Sequence, residues 1–287
     1  MSSRLPPFSF PPAPVSRLSR CFSTTADGRI PLTRDWPHLL ATLARLPHLA
    51  WQTRHHAARL IALDRLPALS APHPGAHRAD ARGHLEFDFE RWHVAWARVA
   101  LCPCCESAGR IEVLNARGAE FMHLCAHPAS APTDWAETVA ALNEGRPADL
   151  PPPDFAGSAR FVLPGMPARS AQLGAAASRL IDLLRTLGEN GHTLSVLLRT
   201  VEVSHRRRFH PAQVALRGSV LHAWSRPTTW QLALDAVVGL ALEQTTEGVW
   251  LHAAGADDTV LMSFGPGAAT GPDRQAWDHA VQALFPI

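Results

Sequence analysis

Apolar positions along the chain follow two periods, and these recur in the same order in each half. Trp135, Val139 and Leu142 stand at i, i+4 and i+7, one face of a helix, and Trp277, Val281 and Leu284 repeat that spacing. Upstream of each predicted helix lies a strand, a turn and a second strand. In the first copy these are Ile111 to Leu114, Gly118, and Phe121 to Cys125; in the second they are Val249 to Leu251, Gly255, and Val260 to Phe264. Further upstream, Leu85, Phe87 and Phe89 alternate before an acid, Glu90, and a strand from Trp92 to Val99. Trp230, Leu232 and Leu234 alternate in the same way before Asp235 and a strand from Val237 to Leu242. Leucine-rich helices over 39–46 and 180–187 each lead into a strand, one reaching Arg54 and the other Arg199.

This repetition predicts an α+β fold built by tandem duplication, each half an antiparallel β-sheet flanked by helices. Repeat one is expected over 29–147 and repeat two over 175–287. Between them, 148–174 carries Pro151-Pro152-Pro153 and a Gly/Pro-rich stretch, the composition of a linker. Residues 1–28 hold Arg4, Arg17 and Arg20 with no acid before Asp27, but their prolines block an amphipathic helix and they contain no apolar secretory core; a disordered tail is expected.

Composition narrows the functional classes. With 27 basic against 25 acidic residues, the net charge of +2 offers no field that would select nucleic acid or an anionic membrane, and no apolar run is long enough to cross a bilayer. Every basic residue is arginine, tyrosine is absent and histidine is abundant at 16. Five cysteines, four of them between Cys102 and Cys125, lack the spaced framework of a secreted disulfide fold, so a reducing, cytoplasmic setting is expected.

Cys102, Cys104 and Cys105 occupy the predicted hairpin between strands 92–101 and 110–115, and close thiolates are zinc or iron donors. His123, Cys125 and His127 alternate along the next strand; if that face met the hairpin, a site would close. The alternative is a packed or solvated set of thiols, because a second paired-cysteine knuckle is missing. Gly265, Gly267 and Gly271 lie between a strand and a helix, but the sequence ends too soon after them for a dinucleotide-binding βαβ unit, so they read as a loop.

In order and duplication these strings resemble the HemS/ChuX-type haem-utilisation proteins. The resemblance covers roughly 29–287 and rests on Leu32-Thr33-Arg34-Asp35-Trp36-Pro37, Gln52-Thr53-Arg54, His84 to His93, Ile111 to Cys125, Leu194 to His205, Leu232 to Leu242 and the Trp277 helix. It implies a cytoplasmic protein that receives haem and stores it, passes it between donor and acceptor proteins, or assists its breakdown to release iron. Two-repeat relatives carry an axial histidine in the joining segment; here 148–174 contains none, so an axial imidazole has to come from elsewhere.

Haem requires an iron ligand, apolar walls and cations for two propionates. Arg54 and His55 end the first strand of repeat one. Their counterpart in repeat two is Arg199 followed by His205-Arg206-Arg207-Arg208-Phe209-His210, where guanidinium forks and imidazoles crowd beside an aromatic ring. The expected axial ligand is His205, then His210, then His55, with Arg199, Arg206, Arg208 and Arg54 on the propionates. His93, expected opposite a face shared by Trp92, Val94 and Trp96, is a further candidate on the open side of its strand. The rival readings are a haem-degrading enzyme fed by an external reductant, and a zinc-binding or interaction module on the same scaffold.

Overall fold

The protein is described by a computed structural model covering residues 29–64, 76–80, 83–98, 109–126, 132–144 and 173–285. The first half runs β1 (Arg29–Pro31), α1 (Trp36–Leu43), β2 (Leu49–His55), β3 (Ala58–Asp64), β4 (Ala76–Asp80), β5 (Gly83–Phe87), β6 (Trp92–Arg98), β7 (Arg110–Asn115), β8 (Glu120–Ala126) and α2 (Pro132–Leu142). The second runs α3 (Leu173–Glu189), β9 (Leu194–Arg199), β10 (Val203–Phe209), β11 (Gln213–Arg217), β12 (Val220–Ser225), β13 (Thr228–Ala233), β14 (Gly239–Thr245), β15 (Gly248–Ala254), β16 (Val260–Pro266) and α4 (Pro272–Leu284). The α+β class and the duplication hold. Even the acids noted in the sequence match, since Glu90 and Asp235 both sit in a short 3-10 turn joining two strands.

Local chemistry explains the helices. Asp35 caps α1 by accepting a hydrogen bond from the His38 amide at 3.0 Å, and Pro37 occupies the first turn, where no intrahelical donor is lost. In α3, Leu180, Leu183, Leu184 and Leu187 form the buried stripe. Gly191 ends that helix at φ +73°, and the His192 amide turns back to the Leu187 carbonyl at 2.9 Å. The chain is thereby aimed from the last turn of α3 into β9. No helix among the described residues is long and apolar enough to cross a membrane.

The strands form two antiparallel sheets, and each sheet contains strands of both halves. One has nine strands in the order β1-β6-β7-β8-β2-β3-β13-β12-β11, the other seven in the order β14-β15-β16-β9-β10-β5-β4. The crossings are equivalent. Leu60 of β3 pairs with Trp230 of β13, and His205 of β10 pairs with Leu85 of β5. Packing follows the halves more closely than hydrogen bonding does. The first core gathers Trp36, Leu39, Trp51, Phe87, Trp92 and Trp135; the second gathers Leu184, Val196, Phe209, Trp230, Phe264 and Trp277. Each half therefore closes its own core with a hairpin whose outer edge pairs with the other half, and breaking the halves apart would open a ladder in both sheets.

One sequence expectation is corrected here. Register shifts between Trp92 and Val94, so His93 is the extra residue of a β-bulge and the alternation across it inverts. Trp92 then packs in the first core with Ala95 and Ala97, whereas Val94 and Trp96 join Leu114 in a separate cluster. The three residues do not share a face. The expected linker, 148–174, overlaps α3 at Leu173 and Gly174, and its remaining residues, like 1–28, lie outside the described residues.

Gly265 and Gly267 serve close packing. A Cβ on Gly265 would come within 2.6 Å of the Trp250 ring, and one on Gly267 would collide with the Thr193 carbonyl.

Candidate functional site

The Arg/His run from His205 to His210 is a strand, β10, and the pleat divides its side chains between two faces. His205, Arg207 and Phe209 point inward and are buried; Arg206 and Arg208 alternate with them, are more exposed and point outward. The expected convergence of His205 with Arg206 and Arg208 on one ligand is therefore not realised.

His205 is fully buried where the two halves meet. Its Nδ1 is 3.0 Å from Thr53 Oγ1, and its ring stacks on Trp51 at 4.8 Å between centroids. Arg207 lies over the same indole at 5.6 Å and pairs with Asp64 at 2.9 Å. Burial, and then the Arg207 charge, hold the imidazole neutral, with its pKa well below the ordinary histidine value. This is a clamp between halves, and His205 does not line the cavities described below.

The remaining expected residues fall into separate places. Arg54 pairs with Glu120 at 3.2 Å, and Glu120 also bonds His123 at 2.8 Å. Burial alone would raise the Glu120 pKa, but the His123 hydrogen bond and the Arg54 charge bring it below the usual carboxylate value. His55 is buried, its ring 4.0 Å from that of His56. His93 is half-buried at the bulge. On the outward face of the seven-stranded sheet, Arg206 pairs with Glu247 at 2.6 Å and lies 4.9 Å over the Trp250 ring. Arg199 is exposed at the end of β9. Its charge adds to burial in lowering the pKa of His252, whose Nε2 is 3.1 Å from Glu243 and whose Nδ1 is 2.8 Å from Ser263.

Cys102, Cys104 and Cys105 lie outside the described residues, as does His127. Cys125 is buried in β8. Among the described residues, no three His, Cys, Asp or Glu side chains gather as a metal site, so the proposed zinc or iron site gains no support from His123 and Cys125.

What the fold does assemble is a polar junction at the start of β9 and the end of β10, built on Asp273 in the first turn of α4. Asp273 accepts from Thr193 Oγ1 at 2.5 Å, from Arg208 Nη2 at 2.7 Å and from the Thr193 amide at 3.2 Å. His192 Nδ1 approaches Oδ1, the oxygen that also takes the Thr193 amide, at 3.3 Å, while the Thr193 hydroxyl and Arg208 share Oδ2. Burial opposes ionisation of this acid, but the Thr193 and Arg208 hydrogen bonds outweigh it and lower its pKa to about 2. Because an ionised carboxylate only accepts, His192 donates through Nδ1, which leaves Nε2 as the acceptor nitrogen of the neutral tautomer. Next to it, His210 Nδ1 donates to the His192 carbonyl at 3.1 Å.

Two cavities flank this junction. A groove of about 560 Å³ runs between α3 and α4, walled by Leu183, Leu187, Ala276, Ala280 and Leu284, with His192 at one end. A smaller cleft of about 230 Å³ is lined by Thr193, Arg208, Phe209, His210 and the β12–β13 turn. Of the expected ligands, Arg208 and His210 belong to this region. His192 and Asp273 were missed: Gly271-Pro272-Asp273 is a recognisable helix start, but nothing in the sequence near His192 marks it as that acid's partner, 81 residues away.

The chain has no match among protein-family models or among curated proteins. Solved structures do resemble it. Holo-PhuS, a haem-binding protein from Pseudomonas aeruginosa, superposes with a TM-score of 0.70 at 13% identity, over 89% of this chain and 86% of its own. ChuS, an E. coli haem oxygenase, gives 0.73 at 13% identity over 90% and 89%. ChuS of Escherichia coli O157:H7, described as a haem-degrading enzyme, gives 0.71 at 12% identity over 90% and 87%. Over nearly its whole described length, the chain shares the fold of PhuS and ChuS.

Proposed function

We propose that the protein binds haem in the groove between α3 and α4, with His192 Nε2 as the axial ligand. The carrying observation is the pair His192–Asp273 at the end of an apolar groove. A carboxylate on one ring nitrogen fixes the tautomer, orients the ring and raises the basicity of the other nitrogen, which is how metal-ligating histidines are supported. The groove, at about 560 Å³, lies within the range of sites that enclose ligands of this class; its leucines and alanines offer apolar contact to a flat ring, and Asp182, Thr186, Asn190, Gln275 and His279 complete the lining. Bound haem would contribute an iron centre open to axial ligation. Arg208 enters as the second partner of Asp273, holding the acid ionised and in place. The shared fold with a haem-binding protein and a haem oxygenase supports the same reading.

The test is titration of the protein with haemin, followed in the Soret region. Wild type is expected to shift the band, His192→Ala to lose the shift while keeping its circular dichroism, and His210→Ala to retain it. A wild type without a shift would reject haem binding. A His192→Ala variant with an unchanged spectrum would reject the named ligand. Reductant-dependent breakdown is the second reading, favoured by the activity of ChuS; incubation of the haem complex with ascorbate separates loss of the Soret band and release of iron from haem that stays intact and moves to an acceptor.

A further inference from the structure

The cleft on the other side of the Asp273 junction has different chemistry from the groove. Its lining is Thr193, Arg208, Phe209, His210, Ser225, Arg226, Pro227 and Thr228: two guanidiniums, an imidazole and three hydroxyls, with no carboxylate among the described lining residues. At about 230 Å³ it is smaller than the sites that enclose drug-sized ligands and far too small for a porphyrin. The size admits a compact polyatomic ion.

Its two arginines stand differently. Arg208 is pre-oriented, because Nε donates to Thr193 Oγ1 at 3.0 Å and Nη2 donates to Asp273 at 2.7 Å. A guanidinium carries five N–H donors, so this anchoring leaves donors for a ligand while the ordering cost of the side chain is already met within the fold. Arg226 is exposed on the β12–β13 turn and forms no ion pair with a described residue. Asp273 balances one of the two positive charges and nothing described balances the other. The floor is Phe209 and Pro227, which offer no competing acceptor side chain.

We infer that this cleft is a binding site for a small free oxyanion of phosphate type, held between the guanidiniums of Arg208 and Arg226, with Ser225 and Thr228 in its lining as the residues whose hydroxyls are left to donate, the Thr193 hydroxyl being spent on Asp273. Arginine forks match tetrahedral and planar oxyanions alike, and the volume selects the small ones. The site shares Arg208 with the support of His192 but uses neither the groove nor the Nε2 of His192, and Arg226 belongs to the cleft alone.

Isothermal titration of the haem-free full chain with inorganic phosphate, in a buffer without other polyvalent anions, tests it. Saturable one-to-one binding is expected, weakened about tenfold or more by Arg226→Ala and less by Arg226→Lys. Arg217→Ala, which removes an exposed charge on β11, should leave it unchanged. Absence of saturable binding, or binding that Arg226→Ala leaves intact, would overturn the assignment. A loss equal in Arg217→Ala and Arg226→Ala would overturn it as well, because it would show a net-charge effect. Arg226 is exposed, and circular dichroism of its variants checks that the fold persists. Haemin titration of the same variants reads the groove separately, so failure at one site leaves the result at the other standing.

Discussion

Replacing Asp273 by asparagine keeps the shape of the side chain and removes its charge. In the folded protein the carboxyl titrates at about 2, against an ordinary value of 3.8, which corresponds to roughly 2 kcal/mol of stability at neutral pH. The Asp273 side chain is 18% exposed, and partial screening by water reduces the expected loss in Asp273→Asn to about 1 to 2 kcal/mol. The sign follows from proton binding. With the folded pKa depressed, the unfolded chain takes up the proton first, so the contribution is complete above pH ~4, about half gone near pH 3 and lost below about 2. Urea unfolding of wild type and Asp273→Asn, followed by far-ultraviolet circular dichroism at pH 7, 5 and 3, measures the gap directly. A gap that closes as the pH falls supports the charge-based account. A gap of constant size at all three pH values would refute it and would leave only the geometry of the hydrogen bonds as the source.

The other predictions concern packing and the interface between halves. His205 is buried neutral with its pKa depressed, so wild-type stability should decline as pH falls below about 6.5, where the unfolded imidazole takes up a proton; His205→Leu should flatten that slope in thermal melts between pH 7 and 5. Asp64→Ala removes the ion pair with the Arg207 guanidinium, which is 2% exposed, and a loss of about 1 to 3 kcal/mol is expected in equilibrium unfolding. Gly265→Ala drives a Cβ into the Trp250 ring and should cost about 1 to 3 kcal/mol, whereas Gly191→Ala, which has open space around it, should cost only its left-handed backbone strain.

The helices and the strands of the repeated pattern were legible in the sequence because their signals are local. The leucine spacing of α3 and the tryptophan spacing of α2 and α4 state which face is buried within one or two turns of chain, and copying the pattern reveals the duplication. The inward or outward side of each residue on β10 was also written there, as simple alternation, once the run is known to be a strand. Composition alone obscured that fact, since four consecutive arginines and histidines, His205 to Arg208, suggest an exposed segment far more than a central strand.

Tertiary structure decided the rest, because the deciding contacts join residues distant in sequence. Whether His205 is a ligand or a core residue depends on Trp51 and Thr53, across the meeting of two sheets. The bulge at His93 depends on the register that β6 finds against β7, which no period in β6 itself encodes. Exchange of hairpins between the halves follows from edge strands β3 and β10 each pairing with a strand of the opposite repeat, and hydrogen-bond partners of an edge leave no mark on side-chain periodicity. His192 acquires its chemistry only when the first turn of α4 brings Asp273 to it. The amino-acid order sets what each segment is, and the closing of one segment on another sets what its side chains can do.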